Sequence, residues 1–140
     1  EIRAQNFNFY VTNYANVDMV GHTGNFLATI KAVELVDEFL GEVVAAVLEV
    51  NGTLLITSDH GNGEGLINLQ TGTIDKEHSA NPVPLIIVSN ELEYKAAAAS
   101  PITDDLSQMK SSGLLTDVAP TILHLLEVSK PNEMTGISLL

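Results

Sequence analysis

Three of the four histidines in this chain, His22, His60 and His78, lie in short polar loops that also carry glycine or asparagine. Two of them have an aspartate close by. "DMVGH" sets Asp18 four residues before His22, and "SDHGN" sets Asp59 directly before His60. Carboxylate and imidazole without sulfur are donors suited to Mn²⁺, Zn²⁺, Co²⁺ or Fe²⁺ rather than to a structural thiolate zinc. Asp18 and His22 share one face if their segment makes a helical turn. Asp59 and His60 are adjacent, and consecutive residues just past a strand can address two different ions. Five such donors exceed what one tetrahedral ion with an open position takes. They are a good fraction of a two-metal site, the arrangement that stabilises both the attacking and the leaving oxygen in phosphoryl transfer.

Each piece alone has a plainer reading. An Asp-His pair after a strand is commonly a turn or a helix cap, and a loop histidine is commonly solvated. Joint occurrence in three loops favours a site. His124 serves as the control: it falls on a helix with no acidic loop partner and is assigned to structure or surface. Ser58, beside Asp59, ends a buried strand, so packing is favoured over a nucleophilic role. Glu64, Asp75 and Glu77 are either outer groups of the site or solvated loop carboxylates.

The elements that must position these loops read as follows. "FNFYVTNYA" (Phe7–Ala15) is strand-like in its β-branched and aromatic content. From Asn25 a long amphipathic helix is expected, with Phe26, Ile30, Val33, Val36, Leu40, Val44 and Val47 at spacings of three and four. Asn25 is its N-cap, Asn51-Gly52 ends it, and Gly41 inside it points to close packing against a neighbour. "TLLITS" (Thr53–Ser58) and "VPLIIVS" (Val83–Ser89) are continuous apolar runs of the kind buried in a sheet, and Phe7–Ala15, the long helix and Thr53–Ser58 read in that order as a parallel βαβ unit. Ligand sites in such sheets lie outside the carboxyl ends of the strands, where Asp18, His22, Asp59 and His60 would fall. Leu66–Lys76 is expected to be a hairpin excursion around Thr71-Gly72, returning His78 to the same edge. Asn90–Gly113 lacks periodicity and reads as a surface insertion with a short helix around "LEYKAAAA". Asp117–Val128 is a second helix, capped by Asp117 with Pro120 in its first turn.

A formal charge of −12, from 6 basic and 18 acidic side chains, would repel phosphate backbones, so nucleic acid is not expected as a partner. With so few cationic side chains, an anionic substrate would need metal ions, or basic groups from elsewhere. The absence of cysteine removes disulfides and thiolate sites and fits a cytoplasmic location. No apolar run is long enough to cross a bilayer, so no membrane partner is expected. The chain starts at Glu1 and enters a strand-like run almost at once. It is therefore expected to be the middle of something longer, or a processed or trimmed product.

"NYANVDMVGHTG", "TSDHGN", "HSANPVPLIIVS" and "DVAPTIL…MTGISL" together resemble the metal-binding and C-terminal segments of the cofactor-independent (2,3-bisphosphoglycerate-independent) phosphoglycerate mutases, in the family's order. The resemblance covers nearly the whole chain except Asn90–Gly113. "DHG" alone would indicate only the wider alkaline-phosphatase-like superfamily. The resemblance implies an alkaline-phosphatase-like α/β fold, a mostly parallel sheet flanked by helices, of which residues 1–140 form the C-terminal portion of the phosphotransferase domain. It implies two Mn²⁺ ions, or another divalent metal, and no bisphosphoglycerate. Asp18, His22 and His78 match the ligands of one ion, and Asp59 and His60 match ligands of the other. The implied reaction interconverts 3-phosphoglycerate and 2-phosphoglycerate through a phosphoserine, in a complete enzyme expected to be a monomer. The family's nucleophilic serine, a further aspartate ligand and the domain carrying most substrate-binding Arg and Lys have no counterpart here. Catalytic residues are therefore expected in a missing N-terminal part, and the isolated chain is expected to be inactive. The alternatives are another metallo-phosphatase or phosphomutase of the superfamily, or a non-catalytic metal-binding fragment.

Overall fold

The computed structural model describes residues 1–68, 70–75, 77–92 and 108–140. The chain divides into two compact units, Glu1–Ala97 and Ala98–Leu140.

The first unit is organised by one long helix. A short helix α1, Asn16–Gly21, packs against α2, Phe26–Glu49. Asn25 caps α2 as expected: its backbone is extended and its side chain accepts the Ala28 N–H at 3.0 Å. That satisfies one of the donors a helix start leaves unpaired. At the other end Asn51 takes a left-handed backbone, φ 54°, and the Gly52 N–H returns to the Val47 carbonyl at 2.9 Å. Asn tolerates this conformation better than most residues. Asn90 then donates to the Leu48 carbonyl, one of the acceptors left open at the helix end. Gly41 departs from expectation. A Cβ there would meet nothing within 4 Å, so close packing does not explain this glycine.

Two strands follow, β1 (Leu54–Thr57) and β2 (Leu85–Val88). They pair antiparallel, with Leu54 opposite Val88 and Thr57 opposite Leu85. This corrects the parallel sheet. A parallel pair needs a crossover, usually a helix, between its strands. The long helix α2 precedes β1, and the connection from β1 to β2 holds turns and isolated bridges among its described residues. Both strands are only half-buried, where burial in a sheet was expected. The Phe7–Ala15 strand is likewise not formed. Those residues pair with no strand among the described residues, and Phe7, Phe9 and Val11 are exposed. Without a neighbouring ladder, β-forming side chains have nothing to hold them in a sheet.

The hairpin excursion does form. Ile67 bridges Ile74 antiparallel, the Asn68 N–H donates to the Thr73 carbonyl at 2.9 Å, and Gly72 supplies a positive φ of 68° at the tip. Ile74 lies over Gly24, in the loop between α1 and α2, where any Cβ would strike it.

In the second unit, a 3₁₀ turn at Leu115–Asp117 leads into helix α3, Val118–Leu125, shorter than the expected Asp117–Val128. Asp117 stands at the cap position, but its carboxylate does not cap. One oxygen accepts the Leu114 N–H at 2.8 Å and the other the Ile137 N–H at 2.9 Å. The buried Asp117 thereby ties the C-terminal segment to the start of the helix. Gly136 lies against the Thr116 carbonyl, where a side chain would not fit. The Asn90–Gly113 insertion and its short helix fall largely outside the described residues.

Candidate metal centre

Asp18 sits in α1 and His22 is the residue that closes it. One turn of helix therefore puts both side chains on one face, with His22 Nε2 3.3 Å from Asp18 Oδ1. His78 arrives from the far side of the hairpin excursion. Its Nε2 is 3.3 Å from Asp18 Oδ1 and 3.3 Å from His22 Nε2. Three donor atoms thus form a nearly equilateral triangle. Ligands ~2.0–2.1 Å from one tetrahedral ion stand ~3.3–3.4 Å from each other, so the spacing and the donor types fit a single divalent cation.

His60 joins from the loop after β1. Its ring stacks on that of His78, centroids 3.6 Å apart and planes within 7°. Asp18, His60 and His78 also offer donors within 4.8 Å of one another. That set is looser than the Asp18–His22–His78 triangle, which is the better match to one ion. Asp59 stands at the rim: its side chain is 77% exposed and its carboxylate lies 3.6 Å from His60 Nε2. The structure therefore gathers four of the five candidate residues and leaves the Asp59 carboxylate facing outward.

Two contacts lock the His60 loop to the His78 loop. Gly61 bridges Ser79, with the Ser79 N–H donating to the Gly61 carbonyl at 2.8 Å. Glu64 accepts hydrogen bonds from the Ser79 hydroxyl and, at 3.0 Å, from the Asn81 amide. Partial burial works against the charge on Glu64, but these hydrogen bonds and those of nearby backbone groups outweigh it and hold the carboxyl below its usual range. Glu64 is thus a structural clamp. Asp75 shapes its own turn by accepting the Glu77 N–H at 3.0 Å, and no hydrogen bond links Glu77's carboxylate to the cluster among the described residues. The Ser58 hydroxyl donates to the His60 carbonyl at 2.7 Å, a loop-shaping role. His124 lies in the second unit, 2.7 Å from the Ser138 hydroxyl.

Sequence reasoning passed over Asn62. It is buried, and its amide nitrogen is 3.2 Å from Asp18 Oδ1 and 3.5 Å from His22 Nδ1. Its place two residues after His60 was the available signal.

The model of the metalloenzyme superfamily matches residues 1–130. The chain belongs to the metalloenzyme superfamily. Among curated relatives it is 47% identical over 139 residues to the 2,3-bisphosphoglycerate-independent phosphoglycerate mutase of Vesicomyosocius okutanii, covering 99% of this chain and 25% of that protein. It is 44% identical over 134 residues to the protein of that name from Clostridioides difficile, and 47% identical over 134 residues to that of Acaryochloris marina. Both alignments cover 96% of this chain and 24% of the relative. The chain thus spans about a quarter of the length of the curated relatives it matches. Membership of the metalloenzyme superfamily accords with a cluster whose donors are two imidazoles and a carboxylate within one hydrogen-bond length of each other.

Proposed function

We propose that the complete protein containing this chain interconverts 3-phosphoglycerate and 2-phosphoglycerate through a phosphoserine, in the cytoplasm and as a monomer, and that this chain supplies most of its metal ligands. The observation that carries the reading is the 3.3 Å triangle of Asp18, His22 and His78. It occurs in a chain 44–47% identical to phosphoglycerate mutases. In this reading those three side chains hold one Mn²⁺ or similar divalent ion. Asp59 and His60 offer two donors to a second, completed by residues outside this chain. Asp59's outward carboxylate supports that division, because it is free to face a ligand set the triangle does not use.

Bound cations would supply positive charge to phosphoryl oxygens and lower the pKa of a serine hydroxyl. That serine lies outside these residues, so the chain alone is inactive. What the chain's own groups do is hold donors: α1 fixes Asp18 against His22, and the Glu64 clamp fixes the segment just after His78 through Ser79 and Asn81. An acidic chain with 6 basic residues offers little else to an anionic substrate, which supports metal as the source of charge.

The test uses the complete protein, stripped with a chelator and titrated with Mn²⁺ by calorimetry alongside a coupled mutase assay. His22→Ala is expected to lose activity and one ion of the metal stoichiometry while its apo melting temperature stays within a few degrees of wild type. Full activity with normal metal content in that variant would overturn the ligand assignment. Hydrolysis of phosphomonoesters with no action on phosphoglycerate would point instead to another metallo-phosphatase.

A further inference from the structure

Asn62 touches two of the three proposed ligands, though it carries no charge and has no place among them. Its amide nitrogen donates to Asp18 Oδ1 at 3.2 Å and lies 3.5 Å from the back of the His22 ring. The Asn62 side chain fits there because residue 21 has none. A Cβ on Gly21 would sit 2.1 Å from Asn62 Oδ1 and 3.1 Å from its Cγ. Gly21 is itself buried, in the last turn of α1 between the two ligands that α1 supplies. Asn62 and Gly21 are 41 positions apart in the sequence and interlock in the fold.

We propose that Asn62 is a positioning residue for the metal centre, and that Gly21 is glycine in order to admit it. The inference rests on the ligand reading of Asp18, His22 and His78. Its physical basis is that a carboxylate ligand free to swing must be ordered when the cation binds, whereas one already held by a buried donor need not be. Outer groups that orient ligands in this way typically contribute about 10–100-fold to metal affinity. The 3.2 Å hydrogen bond to Asp18 carries the effect. The contact with His22 Nδ1 is too long to add much. A second consequence is geometric. Asn62 follows His60 by two residues, so the same hydrogen bond joins the loop after β1 to α1 and keeps Asp18 and the stacked His60–His78 pair at one place.

The experiment is a double-mutant cycle on metal affinity in the complete protein, read by Mn²⁺ calorimetry, with Asn62→Ala, Gly21→Ala and the pair. Each single variant is expected to weaken binding about 10–100-fold. The pair is expected to be no weaker than the worse single variant, because both remove the same contact. A merely structural role for Gly21 would instead make the two losses add, and that result would overturn the proposal. So would unchanged affinity in Asn62→Ala when His22→Ala has lost its ion. Unchanged affinity in both of those variants would remove the underlying ligand reading. Should Asn62→Ala fail to fold, Gly21→Ala is read alone, since it leaves Asn62 and every ligand in the sequence; normal affinity there would equally sink the idea.

Discussion

Single carboxylates in this chain do opposite kinds of work. Asp18 is part-exposed and faces two imidazoles, whereas Asp117 is buried and accepts two backbone N–H groups. The Ile137 N–H and then the Leu114 N–H hold the Asp117 carboxyl below its usual value of 3.8. A group whose folded pKa is depressed adds stability above its unfolded pKa and loses it as pH falls through the folded value. The second unit is therefore expected to lose stability as pH drops from about 3.8 downward, and Asp117→Asn should flatten that slope while lowering stability at neutral pH. Melting temperature against pH, followed for both proteins between pH 2 and 7, checks this. A parallel pair of curves would refute it. At this scale the sequence named Asp117 but gave it the wrong partner. A cap is a local signal, readable from the residues that follow, whereas a bond to Ile137, 20 positions away, has none. Asn62 had a local hint in its place two residues after His60, but its partner Asp18, 44 positions before it, had none.

At the scale of elements, helix α2 was the most legible feature of the chain. The helix itself, the Asn25 cap and the Asn51-Gly52 stop rest on local signals and are found, whereas Phe26, Ile30 and Val33 of the expected apolar stripe are exposed and only Val47 of it is buried. Strand pairing was the least legible. Composition says that Thr53–Ser58 and Val83–Ser89 can form strands, but direction depends on what joins them, and the Phe7–Ala15 run shows that a strand also needs a neighbour. Gly41 separates propensity from packing. With open space around it, Gly41→Ala is expected to stabilise the chain by about 0.5–1 kcal/mol, the ordinary difference between Gly and Ala in a helix interior. Chemical denaturation of the two chains measures it. Destabilisation of the complete protein by the same change would mean that a part outside this chain packs there.

For the whole molecule, the balance of buried and exposed apolar side chains is unusual. Among the described residues the buried hydrophobic ones are Ala32, Ala46, Val47 and Leu66. On α2 alone Phe26, Leu27, Ile30, Val33 and Phe39 are exposed, the first two to 66% and 76%. A groove of about 390 Å³ between α2 and the Gly63–Leu66 loop is lined by Phe26, Thr29, Ile30, Val33 and Leu66, together with the acidic Glu34 and Asp37. Contiguous apolar surface of this kind drives association. The isolated chain is accordingly expected to self-associate at micromolar concentration and to bind a hydrophobic dye. Light scattering that reports a clean monomer, with no dye signal, would contradict this. No described helix is long and apolar enough to cross a membrane, so a bilayer-spanning role for α2 does not account for its exposed face.

The bridge between Gly61 and Ser79 and the Glu64 clamp beside it close the neck of the excursion, which touches the rest of the unit again where Ile74 rests on Gly24. From Leu66 onward the excursion turns at Gly72 and comes back, and its described residues before His78 add no donor to the triangle. His60 and His78 thus keep their stacking whatever the excursion's tip contains, because their alignment is decided at the neck. Lengthening a flexible tip costs little, about 0.6 kcal/mol for each doubling. The centre is in this sense deaf to the sequence around Thr71, and the tip is a place where such a protein can accept a graft.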